Sequence, residues 1–396
     1  MPKLSLTDLE LSGKRVFMRV DFNVPLRDGE ITDDSRIRAA MESIRYVIDH
    51  GGRLILASHL GRPKGKRAAA DSLKPVFDRL GTLLDRPGVF FATDCVGEET
   101  AAQVASLANG EVLLLENLRF HAGEEANDPE FAGQLAGLCD VYVNDAFGAA
   151  HRAHASTAGI TAYVPTAAAG FLMQREIEAL GRALDPEERP YVSIVGGAKI
   201  SGKIELIESF TKVADAILIG GAMAYTFLRA RGIETGRSLV EKDRIALAGR
   251  LLETATAAGR SIHLPVDHVV ARDLEGTGLR TIPVSETDPA EMGLDIGPKT
   301  IETYGRIIRD AKTVVWNGPM GVFENPKFAQ GTLEVGRMVA DSAAFSVVGG
   351  GDSAAAVHQS GLGDRIDHVS TGGGAALEFL SGRRLPGVDA LTDRAG

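Results

Sequence analysis

Two α/β lobes, each built on a parallel sheet, are the fold this sequence predicts, and three observations predict it. Short continuous apolar runs recur along the chain, each closed by a glycine or a polar turn. Strands buried on both faces read this way. Helical periods lie between the runs, and strands alternating with helices build parallel sheets. Near the middle, one helical period leads into DPEERP (185–190), an acidic stretch bracketed by proline and without periodicity. At 396 residues the chain has room for two cores, since a domain takes roughly 150 residues.

In the first half the runs are RVFMRVDFN (15–23), RLILASHLGR (53–62), EVLLLENLRF (111–120) and DVYVNDAFG (140–148). Ile37, Met41, Ile44 and Ile48 follow the 4-3-4 spacing of one helix face after Asp33 and Asp34, and Gly51-Gly52 ends it. The uncharged stretch from Ala155 to Gln174 approaches the roughly 20 residues of a membrane span. Ala, Thr and Gly dominate it and Pro165 interrupts it, so it reads as a tightly packed segment. Met173, Ile177, Leu180 and Leu184 repeat the 4-3-4 spacing and place the junction at 172–190. The first lobe is then 1–172. In the second lobe, 173–375, the runs are YVSIVGG (191–197), AILIGG (216–221), TVVWNGPMG (313–321), FSVVGGG (345–351) and HVSTGGG (368–374). Ile204, Ile207, Phe210 and Val213 mark a helix between the first two. Pattern alone does not place the tail, RRLPGVDALTDRAG.

Composition excludes several classes. Lys+Arg number 43 against 53 Asp+Glu, a net charge of −10. Such a chain repels nucleic acid and anionic membranes, so neither is expected as a partner and any basic cluster is local. A hydrophobic share of 44% argues against disorder. Cys95 and Cys139 cannot build a disulfide framework or a metal cage alone. They read as core thiols, as fits a reducing cytoplasm. The start, MPKLSLTDLE, lacks a basic-then-apolar signal, and a cytoplasmic location is expected.

Ligands bind beyond the carboxyl ends of parallel strands, and those ends separate the halves. The first half offers Asp21 and Asn23; Ser58, His59 and Arg62; Glu116, Asn117 and Arg119; and Asn144 and Asp145, with Arg152 just after and Arg36 opening a helix. Several arginines at strand ends of an acidic chain point to a small anionic substrate, because guanidinium grips carboxylate and phosphate through paired hydrogen bonds. Taken singly, each also reads as a surface ion pair. The second half ends its strands in glycine. Gly196 to Lys203, GGAKISGK, approaches a phosphate loop, but Ile204 stands where Ser or Thr would hold a metal. A strand-to-helix turn with two exposed lysines is the other reading. Gly349 to Ala354, GGGDSA, fits a dinucleotide loop, yet Asp352 would repel the phosphates. A Mg²⁺ ion between carboxylate and phosphate removes that conflict; a helix N-cap is the alternative for Asp352. Glu324, after Trp316-Asn317-Gly318-Pro319, suits ribose hydroxyls or plain solvent.

DFNVPL (21–26), HLGRP (59–63), LLENLRF (114–120), VNDAFGAAHRAHAST (143–157), GGAK (196–199), WNGPMGVFE (316–324), GGGDS (349–353) and STGGGA (370–375) occur in order over nearly the whole chain. Together they resemble the phosphoglycerate kinase family. One departure is Gly202, where the family often has Asp. The resemblance implies two Rossmann-like lobes joined by a hinge helix, and a monomeric glycolytic enzyme. It implies 3-phosphoglycerate on the first lobe, at Asp21, Asn23, Arg36, His59, Arg62, Arg119 and Arg152. It implies Mg·ATP or Mg·ADP on the second, at Lys203, Gly220, Gly221, Gly293, Glu324, Gly350, Gly351, Asp352 and Ser353, with Asp352 on the metal. Lys199 and Arg36 would bracket the transferred phosphoryl group, and residues 376–396 would return to the first lobe. The acceptor in such a reaction is a carboxylate, already ionised, so a general base has little to offer. The rivals are an NAD-dependent dehydrogenase and a non-enzymatic two-lobe anion-binding protein. The first needs a ribose-binding acid about 20 residues past the glycine loop, where Ser370 and Thr371 stand instead.

With substrates on separate lobes, transfer needs approach to near-attack distance. Small-angle scattering is expected to give a smaller radius of gyration with both ligands than with either alone. Identical profiles in all states would count against a working hinge.

Overall fold

The structure, a computed structural model, describes residues 2–394. Met1, Ala395 and Gly396, which end the first and last predicted segments, lie outside the described residues. Contacts divide the chain into one unit holding the residues up to Glu178 and those from Arg384 onward, and a second holding Ala179–Arg383. The fold is α/β, with one six-stranded parallel sheet in each unit.

In the first unit the strands lie in the order Val89–Phe91, Val112–Leu114, Arg53–Ala57, Arg15–Arg19, Val141–Asn144, Ala167–Ala169. Arg15–Arg19 pairs in parallel with Arg53–Ala57 on one side and Val141–Asn144 on the other. Its Val16 and Met18 join Leu54, Leu56, Val112 and Leu114 in one buried cluster. The helix Ser35–Asp49 closes that cluster with Ile37, Met41, Ile44 and Ile48, the four residues of the predicted face. Gly51, at φ +71, makes the turn after it. The edge strands Val89–Phe91 and Ala167–Ala169 carry no long apolar run, and three alanines have little strand preference. Ala167–Ala169 is a strand because Val141–Asn144 offers it a ladder. The uncharged stretch is thus a 3₁₀ segment, Gly159–Tyr163, this buried strand, and the start of the helix Phe171–Leu184. No described helix is long and apolar enough to cross a membrane. The returning tail is held on the same edge, where Thr392 N–H donates to Ala167 O (2.9 Å) and Leu4 N–H to Thr392 O (2.9 Å).

In the second unit the order is Ser261–His263, Ala216–Ile219, Tyr191–Val195, Thr313–Asn317, Phe345–Gly349, His368–Val369. Strand order reverses between Tyr191–Val195 and Thr313–Asn317, the kind of switch point that leaves a crevice at the carboxyl ends. Those ends are Gly196 and Gly318. Trp316, fully buried, packs among Val192, Ile194 and Val314 and donates its indole N–H to Gly318 O at 2.7 Å. The helix Ile204–Val213 matches its predicted span. A three-stranded antiparallel sheet, Arg280–Pro283, Asp267–Ala271 and Met292–Ile296, was not expected. Gly293 and Asp295 break its last strand into a pattern that no apolar run marks.

Candidate active site

A cationic group gathers at the strand ends of the first unit. Arg19, which ends its strand, is fully buried. Its Nε donates to Ser156 Oγ (2.8 Å), its Nη1 to Val20 O, and its Nη2 lies 3.1 Å from His59 Nδ1. Ser156 in turn donates its Oγ–H to Glu124 Oε1 (2.6 Å) and its N–H to Oε2 (2.9 Å). Burial pushes the Glu124 carboxyl up, against the pull of Arg19 and the Ser156 hydrogen bonds. Burial holds the His59 imidazole well below its ordinary value, and the charges of Arg19, Arg119 and Arg36 add to this. His59 is therefore neutral at neutral pH. Arg19 can only donate, so Nδ1 accepts and Nε2 carries the proton. His154 is pulled down to about 4, by burial first and then by Arg19, Arg119 and Arg152.

The other predicted cations border this group. Arg36, in the first turn of its helix, pairs with Asp21. Gly61 N–H donates to Asn23 Oδ1 (2.9 Å), and Arg119 Nη1 donates to Gly61 O (2.7 Å). Arg119 is 3% exposed. Its Nε stands 3.3 Å from Glu125 Oε1 but lacks the alignment of a hydrogen bond. Burial draws its guanidinium below the ordinary range; Glu125 opposes this, and Arg152 and Arg19 add to it. Arg152 Nε donates to His151 Nε2 (3.1 Å). Arg36, His59, Arg119 and Arg152 thus share one field with Arg19. Arg62 is exposed beside Gly61 and enters none of these contacts. A planar anion with several oxygens matches donors of this kind. A larger groove of the unit, about 900 Å³, passes Thr32 and Arg79 but holds no predicted residue, and Arg79 is engaged by Asp34 (2.6 Å). Asp94, Cys95 and His121 also gather; Asp94 is held by His121 (2.6 Å) and Arg67 (3.1 Å), and Cys95 Sγ donates to Glu116 O (2.9 Å).

In the second unit the glycines let loop backbones touch. A Cβ on Gly196 would stand 2.1 Å from Pro319 O, and one on Gly221, at φ +66, 2.4 Å from Gly197 N. No side chain fits either place. Lys203 Nζ donates to Asn317 O (2.9 Å) and to Asn317 Oδ1. Burial draws its ammonium down to about 8, and Asp352 opposes the shift. Asn317 Nδ2 donates to Gly349 O (3.0 Å), and Gly318 N–H to Ser353 Oγ (2.5 Å). Lys203, Gly349 and Ser353 therefore converge on Asn317-Gly318, and Gly350 lies beside Asn317, where a Cβ would stand 2.9 Å from Nδ2. The N-cap of the helix Gly351–Gln359 is Gly350, at φ +93, and not Asp352. Asp352 lies in the first turn with its carboxylate exposed. Gly221, Gly293, Glu324 and Asp352 line one cleft of about 250 Å³, with Pro265, Leu294, Met320 and Val322 as apolar walls. Gly220 backs it, since a Cβ there would stand 2.4 Å from Met320 Sδ. Gly351 is exposed with open space around it. Lys199 is exposed and does not line the cleft; the loop that carries it is anchored by Ser201 N–H on Glu241 Oε2 (3.1 Å).

Guanidinium groups gather at the strand ends of one unit; in the other a glycine-walled cleft carries Asp352, with Lys203 held at Asn317 outside its lining. Together they mark a two-unit α/β kinase. The phosphoglycerate kinase family model matches residues 6–383. The sequence is 57% identical to a phosphoglycerate kinase of Chlorobaculum tepidum over 99% of this chain and all of that one. It is 56% identical to one of Acidobacterium capsulatum, with both chains covered in full. Among solved structures, it is similar to phosphoglycerate kinase from Coxiella burnetii, with a TM-score of 0.92 at 42% identity, and to that from Pyrococcus horikoshii, 0.85 at 37%; each comparison covers 98% of both chains. The chain belongs to the phosphoglycerate kinase family.

Several residues of these sites went unread in the sequence. Arg19 left one signal, a charge inside an apolar strand run. Ser156 and His154 lie within VNDAFGAAHRAHAST, where His151 and His154 read only as a pair three apart without a third metal ligand; Glu124 left no signal, and neither did Tyr225, His268 and Asp295 in the second cleft. Asp295 is 3% exposed. Its Oδ1 accepts from Ile296 N–H (2.9 Å) and its Oδ2 from Gly331 N–H (2.7 Å). Burial pushes its carboxyl up from 3.8 to about 7, and those two hydrogen bonds oppose the shift. A carboxyl whose folded value is raised holds its proton more tightly when folded. Its contribution is therefore complete at low pH and is lost as pH rises through about 7. The ceiling is about 4 kcal/mol. Relative to Asp295→Asn, the wild type should lose stability between about pH 4 and 7, the interval from the unfolded to the folded value, measured as the urea midpoint at each pH. Parallel curves would refute the assignment.

Proposed function

We propose that the chain catalyses reversible phosphoryl transfer between ATP or ADP and the carboxylate of 3-phosphoglycerate. The observation that carries this is the division of chemistry within a member of this family. Buried, under-neutralised arginine serves one unit, and a phosphate-compatible glycine cleft serves the other. In this reading Asp21, Asn23, Arg36, His59, Arg62, Arg119 and Arg152 hold 3-phosphoglycerate. The neutral His59 offers its Nε2–H, and Arg119 has an Nε still to pair. Lys203, Gly220, Gly221, Gly293, Glu324, Gly350, Gly351, Asp352 and Ser353 hold the nucleotide. Its flat base suits the apolar walls, and its phosphates suit the loop N–H groups and the first turn after Gly350. Arg36 and Lys199 stabilise charge on the moving phosphoryl group. The residues present fit a magnesium ion: Asp352 offers one hard, exposed oxygen, and Mg²⁺ takes few protein ligands beside phosphates and water. When bound, it supplies charge neutralisation between the phosphate oxygens. The proposed setting is a cytoplasmic monomer acting on small molecules; the net charge of −10 argues against nucleic acid or anionic membranes as partners. Nothing at the site favours the dehydrogenase or the non-enzymatic reading.

A coupled assay with 3-phosphoglycerate, ATP and Mg²⁺ tests the activity. Arg62→Ala and Arg152→Ala should each weaken 3-phosphoglycerate binding by about 1.5–3 kcal/mol, the worth of a charged hydrogen bond, and leave nucleotide affinity nearly intact. Calorimetry finding wild-type 3-phosphoglycerate affinity in both would remove them from the substrate site. Lys199→Ala should lose about 10²–10³-fold in kcat with little change in KM, as when one preorganised group is removed. Asp352→Asn leaves the Gly350 cap untouched and should raise the Mg²⁺ concentration needed for activity. A wild-type Mg²⁺ titration in Asp352→Asn would exclude the metal role, and a wild-type kcat in Lys199→Ala would leave its loop as a mere turn.

A further inference from the structure

A thiol, an imidazole and a carboxylate meet in the first unit, and the proposed phosphoryl transfer uses none of them. Asp94 and Cys95 lie just past the edge strand Val89–Phe91. His121 follows the 3₁₀ turn Leu118–Phe120, which comes after the neighbouring strand Val112–Leu114. Those two strands pair in parallel, so both segments emerge at the same end of the sheet. One ligand atom from each residue lies within 4.8 Å of the other two. Cys95 is fully buried, whereas the side chains of Asp94 and His121 are 40% and 29% exposed. The cluster is closed around its sulfur and open at its oxygen and nitrogen.

The pairings inside the cluster are ones that a cation can exchange. Asp94 Oδ1 accepts from Cys95 N–H (2.7 Å) and from His121 Nε2–H (2.6 Å), and Oδ2 faces Arg67 Nη2 at 3.1 Å. Arg67 is 54% exposed and can turn to water. Phe131 stacks on the His121 ring with centroids 4.9 Å apart, which holds the ring plane while Nε2 changes partner. Ligand atoms of a tetrahedral zinc site stand about 3.3–3.6 Å apart, so Oδ1 and Nε2 need part by less than about 1 Å. The Cys95 thiol donates to Glu116 O (2.9 Å), and burial pushes it up. A cation must therefore displace that proton itself. Zn²⁺, which coordinates thiolate readily, can do so; Mg²⁺ prefers oxygen and keeps its waters.

We propose that Asp94, Cys95 and His121 form a three-ligand site for one thiophilic divalent cation of the Zn²⁺ class, with water in the fourth position. Binding releases the thiol proton to solvent and moves the imidazole proton from Nε2 to Nδ1, leaving Sγ, Nε2 and a carboxylate oxygen on the metal. The site differs in kind from Asp352, which offers hard oxygen alone. An ion held here ties the segment after the edge strand to the turn that carries Arg119.

Titration of the full chain with Co²⁺, in buffer holding excess Mg²⁺, tests this, because a thiolate bound to cobalt gives a charge-transfer band in the near ultraviolet. Wild type should show the band, saturating at one Co²⁺ per chain, and Zn²⁺ should abolish it. Cys95→Ala should lose the band and Cys139→Ala should keep it. His121→Gln should weaken Co²⁺ binding about tenfold or more. Arg67→Ala, a surface change, frees Asp94 from a competing cation and should tighten binding about two- to fivefold. A wild type without the band overturns the inference, and so does a band that survives Cys95→Ala or disappears in Cys139→Ala. Should Cys95→Ala fail to fold, His121→Gln decides at a partly exposed position, where unchanged affinity overturns the site. Binding in Arg67→Ala no tighter than in wild type overturns the three-ligand set by removing Asp94.

Discussion

A guanidinium buried without a carboxylate of its own is the constraint on which the first unit depends. Arg19 and Arg119 are both almost wholly buried, and charges that lose water must recover the loss locally. Arg19 recovers it through Ser156 and the buried Glu124, reached across one hydroxyl. Arg119 recovers only part, from Gly61 O and a poorly aligned Glu125. The balance leaves one cation satisfied by the protein and another waiting for an anion. Burial, reinforced by the same field, keeps His59 and His154 neutral, so neither adds to the positive charge that an incoming anion meets.

The second unit solves the opposite problem, how to bring backbone close to phosphate without an excess of side-chain charge. Gly196, Gly221 and Gly318 let three strand ends touch, which presents peptide dipoles where side chains would otherwise stand. Asn317 organises the result, receiving Lys203 and donating to Gly349. Lys203 enters as a partly desolvated ammonium, with the charge of Asp352 opposing that loss. Placing Asp352 after the cap rather than at it leaves its oxygens unspent.

Among the described residues, neither buried carboxyl of these sites, Glu124 or Asp295, is poised to remove a proton from a substrate. Glu124 is enclosed by Ser156, and Asp295 is committed to two backbone N–H groups. That absence agrees with a reaction whose acceptor is already ionised, and it moves the burden of catalysis to charge placement.

The strands of both sheet centres, the helix faces and the glycine-ended loops were legible in the sequence, because continuous burial and the helical period leave a local trace in residue type. Most residues of the resemblance were legible for the same reason, lying at or just after the end of a strand that the pattern finds; Gly293, inside the unmarked strand Met292–Ile296, came from the resemblance alone. Other features came only from tertiary contact. Ala167–Ala169 is a strand because a neighbour offers it hydrogen bonds, not because alanine prefers one. Glu124 and Ser156 matter because chain folding brings them under Arg19, more than 100 positions away. Cys95 and His121 meet only because two strands pair in parallel and end side by side. Local sequence encodes which way a backbone turns and which face is apolar; a set of ligand atoms or a guanidinium's unmet demand depends on partners distant in the chain, and only the folded structure supplies them.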